Sequence, residues 1–288
     1  MNLPAKVDRI KNMGKRPFTA RRGWLLAGEA VMLLFSLLFL FPALFTLMSS
    51  LKSDTEIRLN PLAWPAALHL NNYVEAWKVT HFPVALFNTL FITVISTAGI
   101  VLISSMAAYS LVRSEWKISW FLYLLFTFMM IVPFQTFMVP LITMAKEMSL
   151  QNIIGIIPIY LGLGCPMAIF MYHGFIKGVP KDIEESAAID GASAFRTFFS
   201  IVFPLLKPVT ATIAILDVLW IWNDFLLPLL ILQRGTLQLA QYSFFTMFKQ
   251  EYALAMASLV LSSAPVIAFY LIMQKYIIKG IAAGAVKG

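Results

Sequence analysis

With 288 residues, 60% apolar content and only 12% charged side chains, the chain is too apolar for a water-soluble domain and falls in the range of polytopic membrane proteins. The formal charge of +8 does not point to nucleic acid, because the basic residues lie beside the apolar stretches rather than on one folded face. A single cysteine, Cys165, excludes an intramolecular disulfide and reads as a small packing residue.

A helix needs about 20 mostly apolar residues to cross ~30 Å of hydrocarbon. Six stretches qualify: 24–48, 84–112, 118–145, 153–176, 209–232 and 253–278. The expected fold class is therefore all-α integral membrane. The basic tail 1–23 precedes the first stretch and is placed to touch anionic lipid headgroups. That first stretch is too long for a signal h-region and lacks a small-residue cleavage site, so it reads as a retained anchor. Of the 22 Lys and Arg, 16 fall in segments 1–23, 113–117, 177–208 and 275–288, and 6 in the alternate connections. The positive-inside rule then puts both termini and the segment 177–208 in the cytoplasm, and 233–252 outside. The expected division is a six-helix domain over 24–278 with a C-terminal tail over 279–288.

Prolines punctuate the spans at Pro42, Pro133, Pro140, Pro158, Pro166, Pro228 and Pro265. Each removes a backbone donor where no water replaces it, so bends or cavities are expected. Asp217 and Asp224 stand in the fifth stretch, seven residues apart and on nearly one face. An intramembrane carboxylate usually faces a bundle interior or water. Asp224 falls near the outer boundary and Asp217 deeper, where a hydrogen bond to a neighbouring helix and a place on a pathway are both open.

The segment from Glu185 to Pro204 is a polar island. Pro180 is suited to open a helix whose first turn carries Asp182, Glu184 and Glu185 against the positive helix end. Gly191 marks its stop. Ser193 is placed to cap a second short helix over 194–203, which Pro204 halts or redirects. Ala187, Ala188 and Ala192 would let a partner approach the backbone closely.

The string Glu185-Ser186-Ala187-Ala188-Ile189-Asp190-Gly191, followed after nine residues by Ile201-Val202-Phe203-Pro204, resembles the cytoplasmic EAA loop of permease subunits in binding-protein-dependent ABC importers. Ser186 replaces the usual second-position Ala and Phe203 the usual Leu. Trp222-Asn223-Asp224-Phe225 with Leu226-Leu227-Pro228, Asn71-Asn72-Tyr73-Val74-Glu75-Ala76-Trp77 and the closing residues 279–288 resemble further signatures of the carbohydrate branch, of maltose type. The resemblance spans nearly the whole chain and is weakest over the first 23 residues.

That resemblance implies the six-helix type I ABC importer permease fold in a bacterial or archaeal inner membrane. The implied partners are a second permease subunit, two ATPase subunits, an extracytoplasmic sugar-binding protein and membrane lipid, with no nucleic acid. No Gly-rich phosphate loop is present in the sequence, so ATP and Mg are expected on the partner ATPase, and this chain is expected to bind no cofactor or metal and to carry no catalytic residue. Glu185, Ser186, Ala187, Asp190, Gly191, Ile201 and Pro204 would couple to the ATPase. Gly280, Gly284, Lys287 and Gly288 would enter the groove between its two copies. Asn88, Thr89, Gln135, Asp217, Asn223 and Asp224 are candidates for the substrate pathway, and Gln238, Gln241 and Tyr242 for contact with the binding protein. The alternatives are an ion-coupled secondary transporter with Asp217 as proton carrier, an ABC permease for a non-sugar solute, and a channel or scaffold.

Overall fold

The computed structural model describes residues 18–246 and 249–285. Helix α1 (Phe18–Ser49) leads into a connection holding α2 (Asp54–Leu59) and α3 (Asn71–Val79), then α4 (Phe82–Arg113). A bent pair, α5 (Lys117–Met129) and α6 (Phe134–Glu147), precedes α7 (Ile156–Ile176). Next come α8 (Asp182–Ile189), α9 (Ala194–Thr197), a π-helical turn Phe198–Val202, α10 (Phe203–Leu205) and α11 (Lys207–Asn223). The chain closes with α12 (Leu226–Ile231), α13 (Leu237–Tyr242), a two-residue antiparallel ladder of β1 (Phe245–Thr246) with β2 (Lys249–Gln250), and α14 (Tyr252–Ala285). The small ladder is the one departure from an all-α chain among the described residues.

Four helices are long and apolar enough to span a bilayer, in α1, α4, α7 and α14. The third and fifth apolar stretches, expected as continuous helices, are broken. Between α5 and α6 the axis turns by 100°. The cause is Pro133, which lacks an N–H and sits in extended backbone with ψ 137° just before α6. The fifth stretch ends its helix at Asn223, because Asp224 is extended and its carboxylate caps α12 instead. The second helix of the polar island also differs from expectation. Its helical run passes Pro204 and reaches Leu205, and the 77° turn into α11 falls at Leu206. A π turn just ahead of Pro204 accommodates the missing donor, and Pro208 lies in the first turn of α11 where no donor is needed. At the chain's end, α14 continues over Gly280 and Gly284 to Ala285; Lys287 and Gly288 lie outside the described residues.

The core forms where α4 packs along α7, with α11 against both. Close approach there depends on small side chains: Ser96, Ser104 and Ser105 of α4 are fully buried, and Gly164 of α7 abuts Ile100 and Trp220. Without a hydrophobic drive between helices in lipid, such small contacts let van der Waals packing hold the bundle. Cys165 is buried in the same seam, in keeping with a packing role. The apolar side chains of α1 from Leu25 to Leu47 are by contrast largely exposed, as a lipid-facing surface would be.

Candidate functional site

The polar island folds as a projection of short helices around Gly191. The first turn of α8 carries Asp182, Glu184 and Glu185, complementing the helix dipole. The helix ends in a Schellman motif: Ala192 N donates to Ala187 O (2.9 Å) and Gly191 N to Ala188 O (3.0 Å), with Gly191 at φ +79°. Ser193 Oγ then accepts from Arg196 N (3.3 Å) and caps α9. Glu185, Ser186, Asp190 and Gly191 are exposed on this projection. Ile201 is half-buried and Pro204 exposed. Ala187 differs from the expectation of an open face, since it is only 6% exposed and turned inward at the Schellman turn; Ala188 and Ala192 remain more open.

Two apolar residues flanking Gly191 complete the surface: Ile189, within the string quoted above, and Phe195, which the sequence did not single out. Ile189 is 87% and Phe195 67% exposed. An apolar side chain so bare at a well-formed helix end marks a contact surface. Phe195 packs at a tilt on Phe199 (4.5 Å between centroids), Phe199 meets Phe198 (4.9 Å), and Phe198 meets Tyr109 of α4 (5.1 Å).

The projection is also pinned to α4 by charge. Glu184 turns inward: Arg113 Nε donates to its Oε1 (2.9 Å) and Tyr109 Oη to its Oε2 (2.8 Å), while Arg113 Nη2 also reaches Val179 O (3.0 Å). The two adjacent glutamates therefore divide their work. Glu184 fastens the loop to a long helix and Glu185 is left on the outer surface.

The pathway candidates separate into different settings. Asp217 is 6% exposed within α11, and its Oδ2 has no hydrogen-bond partner among the described residues. Asp224 accepts from Tyr160 Oη (2.9 Å), Leu226 N (3.0 Å) and Leu227 N (3.4 Å), which makes it the joint between α7 and the broken fifth stretch. It also borders a cavity of about 370 Å³ formed with Met130, Phe134, Phe137 and Trp220 at the α5–α6 bend. Gln135 is exposed in the first turn of α6. Asn88 and Thr89 hold the connection after α12: Asn88 Nδ2 donates to Gly235 O (2.9 Å), and Thr89 Oγ1 accepts from Leu237 N (3.0 Å). That connection turns through Gln233 and Gly235 at φ +63° and +98°.

In the same connection, Tyr242 is exposed and packs at a tilt on Phe225 (5.1 Å), whereas Gln238 is half-buried and Gln241 only 8% exposed. Asn223, Gln238 and Gln241 line one cavity, although they come from different elements. The Asn71–Trp77 string has a structural task as well. Asn72 Nδ2 donates to Ser50 O (2.9 Å) and Lys52 O (2.8 Å), Tyr73 Oη pairs with Ser50 Oγ (2.6 Å), and Trp77 stacks on Phe82 (4.6 Å). Asp54 Oδ1 accepts from Ala253 N (2.9 Å), so this first connection also caps the start of α14.

Residues 99–283 match the family described as "Binding-protein-dependent transport system inner membrane component". The chain is 40% identical over 255 residues to a probable starch degradation products transport system permease protein of Thermoanaerobacterium thermosulfurigenes, covering 88% of this chain and 93% of that one. It is 38% identical over 260 residues to a multiple sugar-binding transport system permease protein of Streptococcus mutans, covering 87% and 93%. Its fold is similar to that of a chain in the crystal structure of a bacterial ABC transporter that imports the acidic polysaccharide alginate, with a TM-score of 0.76 at 21% identity, covering 89% of this chain and 97% of that one. Given the matched length and the shared helical architecture, the chain belongs to the family of inner membrane components of binding-protein-dependent transport systems.

Proposed function

We propose that this chain is the permease subunit of an ATP-driven sugar importer, forming half of a translocation pathway and coupling it to a separate ATPase. The observation that carries the coupling role is the projection itself, where Glu185, Ile189, Asp190 and Phe195 are exposed around the Gly191 turn while Glu184 holds its base to α4. A stiff projection with a bare apolar tip suits a cleft on a moving partner, and Glu185 offers that partner a charge-assisted hydrogen bond. Sugar as the cargo class is supported by the starch-product and multiple-sugar permeases to which the chain is similar.

In this reading the six apolar stretches cross the membrane six times, the third as the bent pair α5–α6 and the fifth as α11 followed by α12, with both termini in the cytoplasm as the Lys and Arg bias directs. The helical domain over 24–278, a second permease, two ATPase subunits holding ATP and Mg, and an external sugar-binding protein form the working unit. ATP favours one conformer of the ATPase pair, and the loop passes that preference to α4. Glu185, Ser186, Asp190 and Gly191 make the contact, Ala187, Ile201 and Pro204 shape it, and the end of α14 with Gly280 and Gly284 lies towards the same side. Gln238 and Tyr242 face the binding protein's side.

The test is co-purification and transport. Glu185→Arg and Gly191→Val should each strip the ATPase from the membrane complex and abolish uptake of the sugar recognised by the binding protein, with the chain still inserted. Uptake that follows a proton gradient and ignores ATP would overturn the proposal.

A further inference from the structure

Asn223, Gln238 and Gln241 line a cavity of about 300 Å³ together with Trp222, Ser262 and Ser263. No charged side chain contributes to its wall. Several of its polar atoms are already committed. Asn223 Nδ2 donates to Leu219 O (2.7 Å), Gln238 Nε2 to Trp222 O (3.2 Å), Ser262 Oγ to Ser258 O (2.8 Å) and Ser263 Oγ to Leu259 O (2.7 Å). Donation to a carbonyl identifies the nitrogen end of each amide, which leaves the amide oxygens of Asn223 and Gln238 and the lone pairs of both hydroxyls as acceptors. Gln241 is buried at this wall and brings an amide with both donor and acceptor capacity.

A wall of acceptors without formal charge selects a neutral molecule rich in O–H donors. An anion would meet lone pairs, and a cation would find no carboxylate to neutralise it. Leu259, Val266 and Ile267 supply the apolar remainder, suited to the C–H face of a sugar ring. Building on the sugar-importer role above, we infer that this cavity is a saccharide site, so that this subunit contacts its cargo directly at the end of α11, beneath the 233–252 connection. Residues separated in the sequence between pathway and partner contact then act as one binding wall.

The test uses the complete importer with its binding protein in proteoliposomes, carrying Ser263→Cys. Cys165 is buried and gives a quiet background. Alkylation of the introduced thiol by a water-soluble maleimide is timed with and without maltose, maltotriose, raffinose and glucuronate at millimolar concentration, alongside uptake of each. The saccharide that is taken up should slow alkylation several-fold. Adding Gln241→Leu should raise the concentration for half-protection about tenfold, as loss of ~1.4 kcal/mol of binding does. A thiol that never reacts in the assembled complex, or whose reaction ignores a saccharide that is being transported, overturns the inference while leaving sugar import intact. Failure of every saccharide to be taken up, with transport of some other solute, overturns the underlying role instead.

Discussion

Arg113 and Glu184, 71 positions apart, meet in a two-point hydrogen-bonded ion pair that fastens the polar projection to the end of α4. Both side chains are largely shielded, at 15% and 13% exposure, so the pair keeps strength that a surface ion pair loses to water and salt. Hydrogen bonds to charged groups contribute about 1.5–3 kcal/mol. Glu184→Gln or Arg113→Ala should accordingly increase hydrogen exchange across α8 and lower the number of solutes moved per ATP hydrolysed, with subunit assembly kept. The exchanged pair Arg113→Glu with Glu184→Arg should recover part of that ratio. Unchanged stoichiometry in the single variants would remove the clamp from the coupling route.

The tip of the projection should separate shape from contact. Gly191→Ala places a side chain in left-handed backbone, at a cost of roughly 1–2 kcal/mol, and should loosen the Schellman turn. Ile189→Ser and Phe195→Ser leave the turn alone and remove the exposed apolar contact. Binding of the partner ATPase, measured on detergent-solubilised complex, should weaken in all three, whereas amide protection in α8 should fall only in Gly191→Ala.

Asn88 and Thr89 tie the 233–237 turn to α4. Thr89→Val keeps the shape but leaves the buried Leu237 N–H without its acceptor, a loss of about 1–3 kcal/mol. Faster limited proteolysis at Arg234 is the expected result, with Asn88→Ala adding to it. Proteolysis at the wild-type rate in both would mean that the turn is held by other contacts.

At the first connection, Glu56 accepts from Ser53 N (2.8 Å), Ser53 Oγ (3.0 Å) and Ala66 N (3.0 Å). The backbone bond from Ser53 is the largest cause, followed by that from Ala66, and together they hold the Glu56 carboxyl below its ordinary 4.5. A carboxyl with a depressed folded value stabilises the connection fully above that ordinary value and stops doing so as pH falls through the lowered one. Hydrogen exchange at Ala66 should therefore be flat from neutral pH to about 4.5 and lose its protection only under stronger acid, and Glu56→Gln should remove most of that dependence.

The six apolar stretches, the acidic first turn of α8, Gly191 as its stop and Ser193 as the next cap were all legible in the residue order, because lipid length, helix dipole and left-handed backbone each act locally. The Trp222–Pro228 and Asn71–Trp77 strings were visible too, but their tasks were not. Asp224, read as a pathway candidate, also caps a helix and bonds to Tyr160, 64 residues earlier. Asn72 looked like a surface signature and sews two carbonyls of the preceding loop.

Membrane residence thus came from composition and run length, since burial in hydrocarbon demands long apolar runs whatever the neighbours do, and family likeness from the resemblance of the Glu185–Pro204, Trp222–Pro228 and Asn71–Trp77 strings. Only the folded chain decided which of two adjacent glutamates faces out, that Asp224 meets Tyr160, and that Asn88 holds the turn at Gly235. Those outcomes depend on partners scores of residues away, and a hydrogen bond across that distance leaves no trace in local pattern.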